Sequence, residues 1–137
     1  MLQRPKRLQV AALCYRECDD GREVLLVTSR DSGRWILPKG WPIRGLSSAQ
    51  AAKQEAWEEA GVSKGALADT AIGSYTYDKT LRGGLPVPVE THVYPLEVTN
   101  LKKDFPEAHQ RKRKWVSTAD AAGLVDESEL KSILRDW

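Results

Sequence analysis

Residues 40–62 read GWPIRGLSSAQAAKQEAWEEAGV, a loop that leads into one clearly delimited helix. Ser47 and Gln50 have the spacing of a capping box, in which each residue hydrogen-bonds the other's backbone. The spacing therefore predicts a helix over 48–60, with Gly61 as its C-terminal stop. This helix lies between the predicted strands of the two halves of the chain.

Three glutamates crowd into five positions of the predicted helix: Glu55, Glu58 and Glu59. At 100° per residue, their carboxylates fall within an arc of about 100° and share one face. Like charges at these spacings repel by about 0.2–0.5 kcal/mol per pair. The face is either a solvated surface or a place where a basic neighbour or a metal ion supplies positive charge.

Length and composition restrict the class of protein. The 137 residues fit a single domain, 1–137, and 41% hydrophobic with 29% charged residues is typical of a soluble globular chain. No apolar run approaches a transmembrane length, and the N-terminus lacks the apolar core of a signal peptide, so we expect a cytoplasmic protein with no membrane partner. The formal net charge of +2 is too small to predict nucleic acid as a partner.

The remaining segments predict a sheet flanked by helices. Segments with the alternation or apolar content of strands are, in chain order, LQVAALCYRE, REVLLVTSR, IGSYTYDK, VETHVYPLEV and KWVS. The first two are joined by an Asp-Gly turn and predict a hairpin. PKGWPIRG is interpreted as a structured loop and LRGGLPVP as a flexible connection. STADAAGL and DESELKSILRDW predict two C-terminal helices. The fold class is therefore α+β, a sandwich with a mixed β-sheet.

From Gly40 to Val62 the sequence resembles the Nudix box, G-x5-E-x7-R-E-U-x-E-E-x-G-U, where U is aliphatic. The glycines, the three helix glutamates and Val62 match in register. The first glutamate of the signature is Leu46 here and its arginine is Gln54. The family's arginine orients the helix glutamates, and a glutamine cannot offset their charge. We expect the change to weaken preorganisation of the site without abolishing it.

The resemblance implies a Nudix-type α/β/α sandwich and a pyrophosphohydrolase that uses Mg²⁺ or Mn²⁺. Glu55 and Glu59 would be direct metal ligands with the Gly40 carbonyl, and Glu58 would be a further ligand or the group that activates water. Carboxylate oxygens suit these hard ions, so the resemblance and the crowded glutamates agree.

RWILPKG, IGSYTYDK and RKRKWVSTADA extend the resemblance to the subgroup that hydrolyses diphosphoinositol polyphosphates and diadenosine polyphosphates. A small-molecule polyphosphate substrate would be bound by guanidinium and ammonium groups. The predicted substrate-binding residues are Arg34, Lys39, Arg44, Lys79, Arg82, Arg111 and Arg113.

Two alternatives stay open. Gln54 and Leu46 are also compatible with a Nudix-fold module that binds a nucleotide or RNA end without turnover. A hydrolase of nucleoside triphosphates or sugar nucleotides would change the substrate and keep the chemistry.

Overall fold

The computed structural model describes residues 6–80 and 83–137. These residues form eight strands and three helices. The strands are β1 (Arg7–Cys18), β2 (Gly21–Thr28), β3 (Trp35–Ile36), β4 (Lys39–Gly40), β5 (Val62–Leu67), β6 (Gly73–Thr80), β7 (Pro86–Leu101) and β8 (Arg113–Ser117). The helices are α1 (Ser48–Ala60), α2 (Thr118–Leu124) and α3 (Ser128–Asp136).

The strands form one sheet in the order β3-β2-β1-β7-β5, with β4 also paired to β1, β6 to β7 and β8 to β2. The β1–β7 pair is parallel and every other pair is antiparallel, so the sheet is mixed. The predicted α+β sandwich with a mixed sheet is confirmed.

Strand β1 lies at the centre and is buried on both faces. Val10, Ala12 and Cys14 belong to the core under α1, whereas Ala11 and Leu13 belong to the core under α2 and α3. Successive side chains of a strand point to opposite faces, so this split is what a strand between two helical layers requires. The sandwich therefore has α1 on one face and the C-terminal helices on the other.

Helix α1 begins and ends where the sequence predicted. The Ser47 hydroxyl accepts from the Gln50 N–H and the Gln50 side chain accepts from the Ser47 N–H, which closes the capping box. Gly61 follows at φ 75°, a left-handed conformation that favours glycine. The buried alanines of α1 let the helix lie close to β1.

Three interpretations of the sequence need correction. PKGWPIRG is not wholly irregular, because Lys39 and Gly40 form β4 and pair with Ala11 and Val10 of β1. Strand β5 was not predicted. The LRGGLPVP connection is shorter than expected, since β7 begins at Pro86, and its residues 81 and 82 lie outside the described residues. No helix in the described ranges has both the length and the apolar character needed to cross a membrane.

Candidate active site

A polar cavity of about 520 Å³ opens where α1 meets β4. Its walls come from the β2–β3 loop, β4, α1, β6 and the loop between β7 and β8. The lining residues are Gln9, Ser29, Arg30, Asp31, Arg34, Ile36, Lys39, Gly40, Trp41, Glu55, Glu59, Tyr77, Asp78, Lys79, Thr80, Glu107 and Arg111. Carboxylates and cations thus face each other across one cavity.

Glu55 rests against the backbone of Gly40. A methyl group built at Gly40 would meet Glu55 Oε2 at 2.8 Å, with Cδ and Oε1 closer still. Gly40 does not have a positive φ, so its glycine is required by this close approach and not by backbone conformation. The carboxyl group therefore occupies the space that any other residue would fill with Cβ.

Glu59 is the most enclosed acid of the helix. It is 5% exposed, and its Oε1 accepts a hydrogen bond from the Lys39 backbone N–H at 3.3 Å. The same oxygen lies 3.7 Å from Nη2 of Arg111. The pairing of β4 with β1 fixes Lys39, so strand and helix together set the position of Glu59.

Burial and the neighbouring Glu59 change the acidity of Glu55. Desolvation, a hydrogen bond with Glu59 and the negative charge of Glu59 raise the pKa of Glu55 to about 8. Burial also raises the pKa of Glu59, while Glu55, Arg111 and the Lys39 N–H act in the opposite direction. Near neutral pH and without a cation, the two carboxyl groups therefore share a proton.

Arg111 is held in the carboxylate cluster by contacts to three elements. Its Nη2 lies 2.9 Å from Glu107 Oε1, its Nε donates to the same oxygen at 3.0 Å, and its Nη1 donates to the Thr28 carbonyl at 3.0 Å. Its side chain is only 8% exposed. A guanidinium so fully engaged orients Glu59 and partly neutralises the acids around it.

Glu107 was not singled out from the sequence. It is distant from the box, in a loop with no motif, and it reaches the cavity because its N–H donates to the Glu58 carbonyl at 3.0 Å. No local signal marks such a residue.

The predicted substrate-binding cations divide into groups. Arg34, Lys39, Lys79 and Arg111 line the cavity, whereas Arg44 is exposed outside its lining. Arg113 donates from Nη1 to the Ala60 carbonyl at 2.7 Å, which caps the end of α1. Arg82 lies outside the described residues.

Burial lowers the pKa of Lys39 to about 8, and Glu59 partly opposes this shift. The Lys39 ammonium lies 5.0 Å from the centre of the Tyr77 ring. Lys39 is thus a half-buried cation held beside the carboxylates.

Glu58 and Gln54 do not line the cavity. Gln54 is exposed and faces a second groove of about 510 Å³ that includes Leu46 and Trp57. Within the described residues no hydrogen bond joins Gln54 to the helix glutamates, and the guanidinium that lies beside Glu59, at 3.7 Å, is that of Arg111.

Comparisons with known proteins identify the family and the fold. A family model described as NUDIX domain matches residues 7–136. The chain is 35% identical over 114 residues to Nudix hydrolase 21, chloroplastic, of Arabidopsis thaliana, covering 82% of the chain and 54% of that protein. It is 33% identical over 119 residues to human diphosphoinositol polyphosphate phosphohydrolase 3-alpha, covering 85% of the chain and 68% of that protein. The chain thus spans about half the length of the plant relative and about two thirds of the human one.

Among solved structures, the crystal structure of C. elegans Ap4A hydrolase superposes with a TM-score of 0.66 at 26% identity. The match covers 96% of this chain and 95% of that one. The cavity described above therefore lies in a fold shared with a hydrolase of known structure over nearly its whole length.

Proposed function

The chain belongs to the NUDIX domain family, and on that premise we propose that it hydrolyses a phosphoanhydride bond in a highly phosphorylated small molecule with the help of Mg²⁺ or Mn²⁺. The observation that carries the proposal is the meeting of the Glu55 and Glu59 carboxyl groups beside the Gly40 backbone, in a cavity that also presents cations. The carboxylates can bind a metal ion, and the arginine and lysine side chains can bind the phosphates of a substrate that carries this ion.

The residues present fit a magnesium ion. No group of three or more His, Cys, Asp or Glu side chains in the described ranges is arranged to hold a metal by itself. Mg²⁺ commonly binds through one or two carboxylates and completes its octahedral shell with water and substrate phosphates. Glu55, Glu59 and the Gly40 carbonyl would form such a partial shell, and the proposal is supported by the space beside Gly40, which a Cβ would fill and which the Glu55 carboxylate occupies. Glu58 remains a candidate further ligand or water-activating group.

The ion, when bound, supplies charge neutralisation of the phosphates and activation of the attacking water. The protein's own residues position the metal-binding carboxylates and hold the phosphates of the substrate. Arg111 fixes Glu59, and the Lys39 N–H binds the same carboxylate from the other side. Lys39 and Lys79 present ammonium groups to phosphate oxygens. Phosphoryl transfer requires mainly this positioning and electrostatic stabilisation.

Diadenosine polyphosphates and diphosphoinositol polyphosphates are the proposed substrates. The human relative is named for the second class and the C. elegans neighbour for Ap4A, which supports both at this level of identity. Both substrate classes carry many phosphates and at least one phosphoanhydride bond, which the cations of the cavity would face.

The test is hydrolysis of one substrate from each class with Mg²⁺ or Mn²⁺. Glu59→Gln keeps the shape of the side chain and removes its charge, and we expect it to lower kcat by about 10²-fold or more. Glu17→Gln is the matched control, because Glu17 is an exposed acid at the far end of β1 paired with Arg22. Its activity should equal that of the wild type.

Gln54 stands where the Nudix box has its arginine, and it is exposed and lines another groove. This departure favours a second candidate, a module that binds a nucleotide or RNA end without turnover. Absence of hydrolysis on every polyphosphate, together with nucleotide or RNA binding that survives Glu59→Gln, would establish that candidate and refute the hydrolase.

A further inference from the structure

Trp41 is a large aromatic side chain at the edge of the cavity that the protein's own packing does not use. It directly follows Gly40, lines the cavity and is 39% exposed. In the described residues it belongs to neither hydrophobic core. A scattered exposed apolar residue needs no explanation, but an indole on the wall of an otherwise polar cleft does.

The backbone around Trp41 is fixed before any ligand arrives. Gly40 on its N-terminal side pairs with Val10 of β1, and Pro42 on its other side restricts Trp41 to extended conformations. The indole is thus carried by a constrained backbone. A preordered aromatic face costs little to order on binding.

The second aromatic residue of the cavity is already engaged. Tyr77 donates its hydroxyl hydrogen to Gln9, and its ring lies beneath the Lys39 ammonium. Trp41 has no aromatic or cation–π partner within the described part of the chain. Of the two rings, Trp41 is therefore the one whose face is available to stack on a ligand.

The charge of the cavity also limits its ligand. Arg34 pairs with Glu127 at 2.6 Å, and Arg30 and Arg111 both pair with Glu107, at 3.5 and 2.9 Å. Each of these three guanidiniums already has a carboxylate partner within the protein, and Arg30 and Arg111 share theirs.

Within the ranges described, Lys39 and Lys79 are the lining cations that have no ion pair. Two ammonium groups and a metal match a linear polyphosphate chain. A ring that carries phosphates on all sides would leave most of them without a counter-charge in this cavity.

We propose that Trp41 is the stacking platform for a nucleobase, and that the cavity therefore selects a dinucleoside polyphosphate over a diphosphoinositol polyphosphate. This inference rests on the proposed function for the phosphate chain, and it adds the group at the end of that chain. Aromatic stacking tolerates any base, so the selected class is the nucleoside and not one particular nucleotide.

The experiment measures equilibrium binding by calorimetry, with ligands that cannot be hydrolysed at an anhydride. They are a methylene-bridged diadenosine tetraphosphate, the corresponding methylene-bridged polyphosphate without bases, and inositol hexakisphosphate, each with Mg²⁺. The proteins are the wild type, Trp41→Ala, Trp41→Phe and Trp57→Ala. Trp57 is the matched control, since it lines the other groove beside Gln54. Thermal midpoints establish that each variant is folded.

We expect the wild type to bind the diadenosine analogue more tightly than inositol hexakisphosphate. Trp41→Ala should weaken the diadenosine analogue by about 5- to 150-fold, the range that one stacked base contributes. The base-free ligand should change by less than about twofold, as for an ordinary surface substitution. Trp41→Phe should retain part of the affinity, and Trp57→Ala should retain all of it.

An equal loss on the ligands with and without bases would overturn the proposal, as would an unchanged affinity in Trp41→Ala or tighter binding of inositol hexakisphosphate by the wild type. Failure of the proposed function is distinguishable from failure of this inference. It would appear as absent turnover in the hydrolysis assay, whereas the titrations measure binding and do not depend on turnover.

Discussion

Replacing Gly40 with alanine should disable the site while leaving the fold intact. Ordinary van der Waals contacts lie at 3.4–4 Å, whereas the new Cβ would lie 2.8 Å from Glu55 Oε2 and closer to two other carboxyl atoms. The carboxyl group must therefore retreat by about 1 Å, a displacement that can cost about 10²-fold in rate. Because the obstructing atoms end a flexible side chain and Gly40 has no positive φ, the free energy of unfolding should change by less than about 1 kcal/mol.

The assay combines three measurements on each variant: kcat/KM on a polyphosphate, the Kd for Mn²⁺ from a direct titration, and the urea midpoint. Gly123→Ala is the matched control, since nothing lies within 4 Å of a Cβ there and the residue is inside α2. That variant should gain about 0.5–1 kcal/mol of stability and keep its kcat/KM.

The effect of Gly40→Ala should also depend on Glu55. In a Glu55→Gln background the alanine should add little, because both changes remove the same ligand, and coupled residues are not additive. The reasoning would be refuted if Gly40→Ala kept the wild-type Mn²⁺ affinity and kcat/KM, or if its effect were fully additive with that of Glu55→Gln. Either result would mean that Gly40 does not make room for the Glu55 carboxylate.

Three other perturbations test the cluster and the helix that carries it. Arg111→Met leaves the buried Glu59 without its guanidinium, so we expect a loss of about 3–5 kcal/mol in the free energy of unfolding, measured in urea. An unchanged urea midpoint would contradict the stabilising role of Arg111 between Glu59 and Glu107. The pKa of Glu55 is raised in the folded state, so folding takes up a proton, and this stabilisation is complete below the unfolded pKa and is lost as pH rises toward about 8. The metal-free protein should therefore lose stability between about pH 5 and pH 8, and Glu55→Gln should flatten that slope in thermal melts; parallel slopes would exclude the shared proton. Ser47→Ala removes the α1 cap and should cost about 1 kcal/mol in the same melts, whereas no change would mean that the helix start is held by tertiary packing alone.

What the sequence could predict was local. The capping box at Ser47 and the stop at Gly61 lie within one helix, so spacing alone located both ends of α1. The shared face of Glu55, Glu58 and Glu59 follows from helix geometry in the same way, although only Glu55 and Glu59 line the cavity. These signals depend on neighbours a few residues apart, and the structure agrees with them.

What the sequence could not predict depended on distant partners. The two-residue strand β4 exists only because β1 lies beside it, and Pro38 and Pro42 around it signal a loop. Strand β5 was missed because its pairing with β7 shifts register around Gly65, whose Cβ would collide with the Glu97 carbonyl. Arg111 was predicted to bind substrate and does line the cavity, but its ion pairs with Glu107 and Glu59 could not be read from the sequence.

The parallel pairing of β1 with β7 also has a consequence for how the chain folds. Arg7 lies opposite Val89 and Tyr15 opposite Glu97, so the middle of the sheet closes a loop that contains more than half of the molecule. Closing that loop costs chain entropy before the central contacts compensate for it, and folds of such high contact order form slowly. During synthesis, β1 cannot pair with β7 until β7 has left the ribosome, and until then the face of α1 that is buried in the native protein stays exposed. We therefore expect mutations in β7 to slow refolding more than equally destabilising mutations in α3.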